Sequence, residues 1–285
     1  MTNEASVQQR PATSDIDVFG LTDRGLVRKE NADHFFIGSF HRTLRIHATS
    51  FPADDIGPQE TESRGFLFLV ADGVGSLRAS AEGSAHALAV VTNHLLHASE
   101  ICSNMALSDR EAAITELKTA VSRAHEALRG FAERQGKGTA ATTLTMYAAF
   151  WPLGFVVQVG DSRLYRLRGD KFERLTNDQT MAQMMLEAGV MTTAEAEASH
   201  LKHVLWSAVG SQEAVPEVLV TDLDLRDRTL LCSDGLTKHV SDDEIKEHMM
   251  RDQSSKDLCH ALVNLALQRG GTDNVTVVSG RVRKT

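Results

Sequence analysis

The run Gly65-Phe66-Leu67-Phe68-Leu69-Val70-Ala71 constrains this chain more than any other segment. Seven consecutive apolar or small residues do not alternate, so a strand built from them has no face for water and must be covered on both sides. A fold that covers a strand twice is layered. The run then stops abruptly at Asp72-Gly73, which places a carboxylate where a rigid, buried element reaches its end.

The rest of the chain supplies the layers. Ala81, Ala85, Leu88, Thr92 and Leu95 recur at helical spacing between Ala79 and His97, and Leu117, Val121, Ala124, Leu128 and Phe131 form a second apolar stripe behind a Ser108/Glu111 capping box. Strands are expected at Phe35–Ile37, Thr142–Phe150, Phe155–Val159, Leu164–Leu167, Lys171–Leu175, Thr229–Ser233 and Val275–Val282. Trp151-Pro152-Leu153-Gly154 and Arg168-Gly169-Asp170 read as hairpin turns. Met181–Glu187 is helical with Gly189 as its stop, Ser241/Glu244 is a further capping box, and Leu258, Leu262 and Leu265 mark a last helix ended by Gly270-Gly271. Paired helices and clustered strands give an α+β fold with sheets covered by helices, not a βαβ alternation. Residues 1–14 read as a polar, disordered tail, and the segment around Pro52 and Pro58 as a loop.

Composition narrows the function by exclusion. Thirty basic against 38 acidic residues leave a net charge of −8, which argues against a nucleic-acid partner. Cys102, Cys232 and Cys259 are odd in number and widely spaced, so reduced thiols in a cytoplasmic protein are expected, without zinc or a disulfide framework. The first residues lack the apolar core of a signal peptide, and no run is long enough to insert in a membrane. His94 and His97 are expected at the surface.

The candidate chemistry is acidic. Asp33 precedes one expected strand, Asp72, Asp161 and Asp234 each follow one, and Asp273 precedes the last. Singly, each has an ordinary explanation as a turn or cap residue. Converging, the five would make a hard oxygen cage suited to Mg²⁺ or Mn²⁺.

The sequences around these acids resemble the type 2C family of metal-dependent serine/threonine protein phosphatases, the bacterial members especially. Arg28-Lys29-Glu30-Asn31-Ala32-Asp33, Val70-Ala71-Asp72-Gly73, Gly138-Thr139-Ala140-Ala141-Thr142-Thr143, Val159-Gly160-Asp161-Ser162-Arg163, Cys232-Ser233-Asp234-Gly235-Leu236-Thr237 and Gly271-Thr272-Asp273-Asn274-Val275-Thr276 resemble its motifs, in its order, within residues 22 to 279. One such motif carries little; six in order are specific.

The resemblance implies two packed antiparallel β-sheets flanked by pairs of helices, as one catalytic domain over 15–285, with a flap at about 180–207. It implies hydrolysis of phosphoserine and phosphothreonine in proteins by a water held between two divalent cations about 3.5–4 Å apart. Asp72 would bridge two metals, the Gly73 carbonyl would ligate one, Asp234 and Asp273 would hold the first, and Asp33 would act through bound waters. Asp161 with Asp234 would hold a third, weaker ion. Arg28 would grip the substrate phosphate, because a planar guanidinium matches phosphate oxygens in pairs. The implied cofactors are therefore Mn²⁺ or Mg²⁺, and the implied partners phosphorylated proteins that are substrates of a Ser/Thr kinase.

Three features depart from the family pattern. Ala32 stands where an acid is common, Val74-Gly75-Ser76 replaces a Met/His-Gly-Gly, and no histidine follows Asp72-Gly73 to protonate a leaving group. These keep open a competing class, a pseudophosphatase that binds phosphoprotein without turnover. A metal phosphodiesterase acting on nucleotides has little support, since the chain has no phosphate-binding glycine loop or basic groove.

Overall fold

The structure is a computed structural model that describes residues 11, 13–40, 44–50, 65–75, 77–98, 110–135 and 140–283. The chain enters through a short 3₁₀ turn, Thr13–Asp15, into β1 (Ile16–Asp23), followed by β2 (Asp33–Phe40), β3 (Leu44–Thr49) and β4 (Gly65–Gly75). Two long helices come next, α1 (Leu77–His97) and α2 (Arg110–Gln135). The strands β5 (Ala140–Thr142), β6 (Leu144–Phe150), β7 (Leu153–Val159), β8 (Arg163–Arg168) and β9 (Lys171–Arg174) follow. Helices α3 (Met181–Glu187) and α4 (Thr193–Ala198) and a 3₁₀ turn at His200–His203 lead to β10 (Glu217–Asp222) and β11 (Asp227–Cys232). The chain closes with α5 (Asp234–Thr237), α6 (Asp242–Met250), α7 (Ser255–Gln268) and β12 (Val275–Val282).

The strands form two antiparallel sheets. One has the order β1-β12-β11-β8-β9; the other runs β10-β7-β6-β4-β2-β3, with β5 paired to the far end of β4. The run at 65–71 lies in the second sheet, between β2 and β6. Its alternate residues serve two cores, which is why it could not alternate in polarity. Phe66, Phe68 and Val70 face the other sheet and meet Leu164, Leu231 and Val278. Leu67, Leu69 and Ala71 face outward and are sealed by Leu88, Val91, Leu95, Leu117, Val121 and Leu128 of α1 and α2. A third cluster covers the outer face of the five-stranded sheet, where Tyr165, Leu230, Cys232 and Val277 pack under Ile245, Met249, Leu258, Leu262 and Ala266 of α6 and α7. The result is a four-layer α-β-β-α sandwich, the architecture expected from the sequence.

Several local readings hold. Ser241 and Glu244 form a reciprocal capping box at α6, and Gly189 follows α3 with φ 69°. Others shift. The hairpin between β6 and β7 turns on Trp151-Pro152 alone, joined by a cis peptide, while Leu153 and Gly154 already belong to β7. Asp72 does not end its strand: β4 continues to Gly75 by exchanging β2 and β6 for β5 as partner. His94 is not at the surface either. Its Nε2 lies 2.6 Å from Glu116 Oε1, beneath α2. The expected tail lies outside the described residues except at Pro11, Thr13 and Ser14, and the loop around Pro52 and Pro58, Ser76, Cys102, Ser108 and Gly138-Thr139 lie outside them entirely.

Candidate active site

Both sheets end at one cleft of about 690 Å³, and Arg28, Asp72, Gly73, Asp161, Asp234 and Asp273 all line it. Each acid arrives on a different element. Asp33 opens β2 and stands directly across the ladder from Asp72 of β4. Asp161 lies in the turn from β7 to β8, Asp234 is the first residue of α5, and Asp273 sits between α7 and β12. Two like charges facing each other across an antiparallel pair destabilise a sheet, so the Asp33/Asp72 pairing needs a compensating charge or a proton.

Asp33 is 2% exposed. Its Oδ2 accepts hydrogen bonds from Ser233 Oγ at 2.7 Å and Thr276 Oγ1 at 2.8 Å. Thr276 belongs to β12 of the opposite sheet and Ser233 follows its β11, so Asp33 joins the two layers. Its Oδ1 is buried without a partner, and so is Asp234 Oδ1. An unpaired buried carboxylate oxygen is costly. Burial pushes the Asp33 carboxyl up to about 7, against the two hydroxyl bonds that pull it down. Asp72 is raised well above the carboxylate range by burial and by the charges of Asp33 and Asp234. Asp161 is likewise raised by burial, then by Asp234 and Asp178.

Asp273 behaves oppositely. Burial acts to raise it, but Arg28 and Lys238 hold it below its ordinary range. Arg28 Nε and Nη2 reach Asp273 Oδ1 and Oδ2 at 2.7 and 2.8 Å, while Lys238 Nζ lies 2.7 Å from Oδ2. Lys238 also pairs with Asp234 at 2.6 Å. Among the described residues no three His, Cys, Asp or Glu side chains close around a single point.

The backbone around the acids is held tightly. Asp72 N–H donates to Thr143 Oγ1, and Asp72 C=O accepts from Thr142 Oγ1 and Thr143 N–H. Asn274 takes Ala32 N–H on its Oδ1 and donates through Nδ2 to the carbonyls of Arg24 and Glu30, fastening the loop that carries Arg28. Gly73 is required by crowding: an added Cβ would stand 2.6 Å from Ser80 O and 2.8 Å from Ala32 O. Arg163, the arginine after Asp161-Ser162, points away from the cleft. It binds Asp178 through Nε and Nη2 and Asp242 through Nη1, which fixes the start of α6.

Six of the seven residues singled out from sequence line this cleft, and Asp33 lies behind it, paired across the ladder with Asp72. The donors are all oxygen, with two buried carboxylate oxygens lacking partners, and this set fits hard divalent cations. Sequence reasoning missed Lys238, although Asp234 and Lys238 stand at the i, i+4 spacing of a helical ion pair. It missed Ser233, Thr276 and Asn274, whose roles depend on contacts with residues some 200 or more positions away. His203, at the cleft rim, was also missed.

A four-layer sandwich whose two sheets end on a cluster of acids and one arginine defines a class of metal-dependent phosphate-handling proteins. The protein phosphatase 2C family model matches residues 43–268, and this chain belongs to that family. It is 30% identical over 264 residues to the serine/threonine protein phosphatase PstP of Mycobacterium tuberculosis H37Rv, covering 90% of this chain but 43% of that protein, so it spans under half the length of that relative. The serine/threonine phosphatase stp of Listeria innocua is 28% identical over 244 residues, with 83% of this chain and 92% of that protein covered. Among solved structures, the catalytic domain of PstP in complex with two manganese ions superposes with a TM-score of 0.71 at 28% identity, covering 94% of this chain and 99% of that one.

Proposed function

We propose that this chain is a metal-dependent protein serine/threonine phosphatase that hydrolyses phosphoserine and phosphothreonine in protein substrates. The observation that carries the reading is the register pairing of Asp33 with Asp72, beside the unpartnered Oδ1 atoms of Asp33 and Asp234. A sheet keeps two facing carboxylates when a cation offsets them. Two manganese ions in the related PstP domain support Mn²⁺ or Mg²⁺ as the cofactor. Asp72, the Gly73 carbonyl, Asp234 and Asp273 would hold two core ions, Asp33 would act through waters, and Asp161 with Asp234 would take a third. When bound, such ions offset charge on the phosphoryl oxygens and lower the pKa of water towards about 7.

The chain's own residues do the positioning. Ser233 and Thr276 fix the Asp33 carboxylate, and Thr142 and Thr143 fix the Asp72 backbone. Arg28, with 47% of its side chain exposed at the cleft, is placed to orient the phosphate. Residues 15–285 act as one catalytic domain. Residues 180–207, which hold α3, α4 and the His200–His203 turn, form a flap over a groove that shares Asp161, His203, Asp234 and Lys238 with the cleft. The substrates are phosphoproteins made by a Ser/Thr kinase, in the cytoplasm; no described helix is long and apolar enough to cross a membrane.

A phosphoprotein-binding module without turnover is the competing reading. Lys238 and Arg28 lying on Asp234 and Asp273 is the observation in its favour. Phosphate release from a phosphothreonyl peptide and ring opening of a cyclic dinucleotide to its linear form, each with Mn²⁺ and with excess chelator, separate the readings. Release from the peptide alone, abolished by chelator, is expected. Peptide turnover in chelator contradicts the metal dependence, and peptide binding without release selects the competing reading.

A further inference from the structure

Lys238 ends α5, and its N–H donates to Asp234 C=O at 2.8 Å, so its Cα is fixed one helical turn from that aspartate. Its ammonium reaches Asp234 Oδ2 and Asp273 Oδ2 at once, at 2.6 and 2.7 Å. One cation thus bridges the two carboxylates assigned above to the first metal ion. It uses carboxylate lone pairs that an ion would need. An ammonium and a divalent ion a few ångströms apart repel strongly, so the two cannot hold these oxygens together. Among the described residues these two acids alone hold the lysine head, and its side chain is 24% exposed. It lines both the cleft and the groove under residues 180–207, so its flexible stem has room to withdraw.

We propose that Lys238 is a tethered competitor for the metal position between Asp234 and Asp273, weakening divalent-ion binding there and leaving the carboxylates when an ion binds. The proposal rests on the metal-dependent reading above. It differs from an ordinary structural ion pair in what it changes. A structural pair sets the stability of the fold and leaves ion affinity alone, whereas a competitor sets ion affinity and changes its own exposure on binding.

The test is Mn²⁺ titration calorimetry on wild-type chain, Lys238→Met and Lys238→Arg, with amine acylation of Lys238 followed by peptide mass spectrometry on the wild type. Loss of one charge-assisted competitor should tighten the strongest Mn²⁺ site of Lys238→Met by about ten- to a hundredfold. Lys238→Arg should stay close to wild type, and acylation of Lys238 should rise when Mn²⁺ is bound. Equal or weaker Mn²⁺ affinity in Lys238→Met overturns this inference alone, and so does unchanged acylation, which needs no variant to fold. Absence of Mn²⁺ binding by the wild-type chain overturns the metal reading and this inference with it.

Discussion

Arg28 holds both oxygens of Asp273 while nearly half of its side chain faces the cleft. Its charge prevents it from ligating a cation, and its planar donors suit a phosphate. Replacing it with alanine should therefore weaken phosphate engagement more than Mn²⁺ binding, by roughly 1.5–3 kcal/mol, the worth of a charge-assisted contact. Steady-state kinetics on a phosphopeptide beside Mn²⁺ calorimetry checks this; lost metal affinity with unchanged kinetics would refute the assignment. Asp161 offers a second residue-scale test. Asp161→Ala should leave the tightest Mn²⁺ sites occupied while lowering turnover. A variant that melts earlier yet turns over normally per folded molecule would show that Asp161 only shapes the β7–β8 turn.

At the scale of elements, the helices carry the clearest local logic. Ser241 caps α6 and Glu244 returns the bond to the cap, which the Ser-x-x-Glu spacing announces. The structure adds a partner that spacing cannot show: Arg269, at the end of α7, reaches Glu244 Oε2 through Nη1 at 2.8 Å. Arg269 and the Ser241 cap together hold the Glu244 carboxyl down at about 2. A depressed carboxyl stabilises the fold above the ordinary glutamate value of about 4.5, and that contribution is lost as pH falls from there through about 2. Glu244→Gln should therefore melt slightly earlier than wild type at pH 6, by a few degrees at most because the pair is exposed, with the gap closing towards pH 2. Calorimetric melts of both proteins across that range test it, and a gap that widens in acid would contradict it. The strand pairing around β4 was harder to read. The apolar run predicts burial on both faces, but nothing in it states that β4 extends past Asp72 to pair with β5.

At the scale of the molecule, each of the three cores is fed by strands that also feed another. Leu69 is fully buried under α1 and α2, on the opposite face of β4 from the inter-sheet core. Leu69→Ala should cost about 2–5 kcal/mol, measured as a shift in the denaturant midpoint, with Mn²⁺ affinity in the folded protein unchanged. The layering was legible because apolar periodicity reports how many sides of an element are covered: none left open in β4, one stripe in α2. The acids were legible because each sits in a distinctive local sequence, and all but Asp72 beside an element boundary. Ser233, Thr276 and Asn274 were not, because their roles exist only once α5, β2 and β12 meet, and no local pattern encodes that meeting; Lys238 left only its i, i+4 spacing to Asp234. His94 was misread for the same reason, since its partner Glu116 lies on the neighbouring helix.

The central claim is that the acids at the sheet ends form a divalent-metal centre with Asp72 at its middle. Mn²⁺ binding to wild type and Asp72→Ala, measured by calorimetry on protein whose fold is verified by circular dichroism, tests it most directly. The account predicts about two tightly bound ions per wild-type chain, as two-metal phosphate sites require, and loss of that tight binding in the variant with its secondary structure intact. Equal stoichiometry and affinity in the two proteins, or no binding by the wild type, would contradict it.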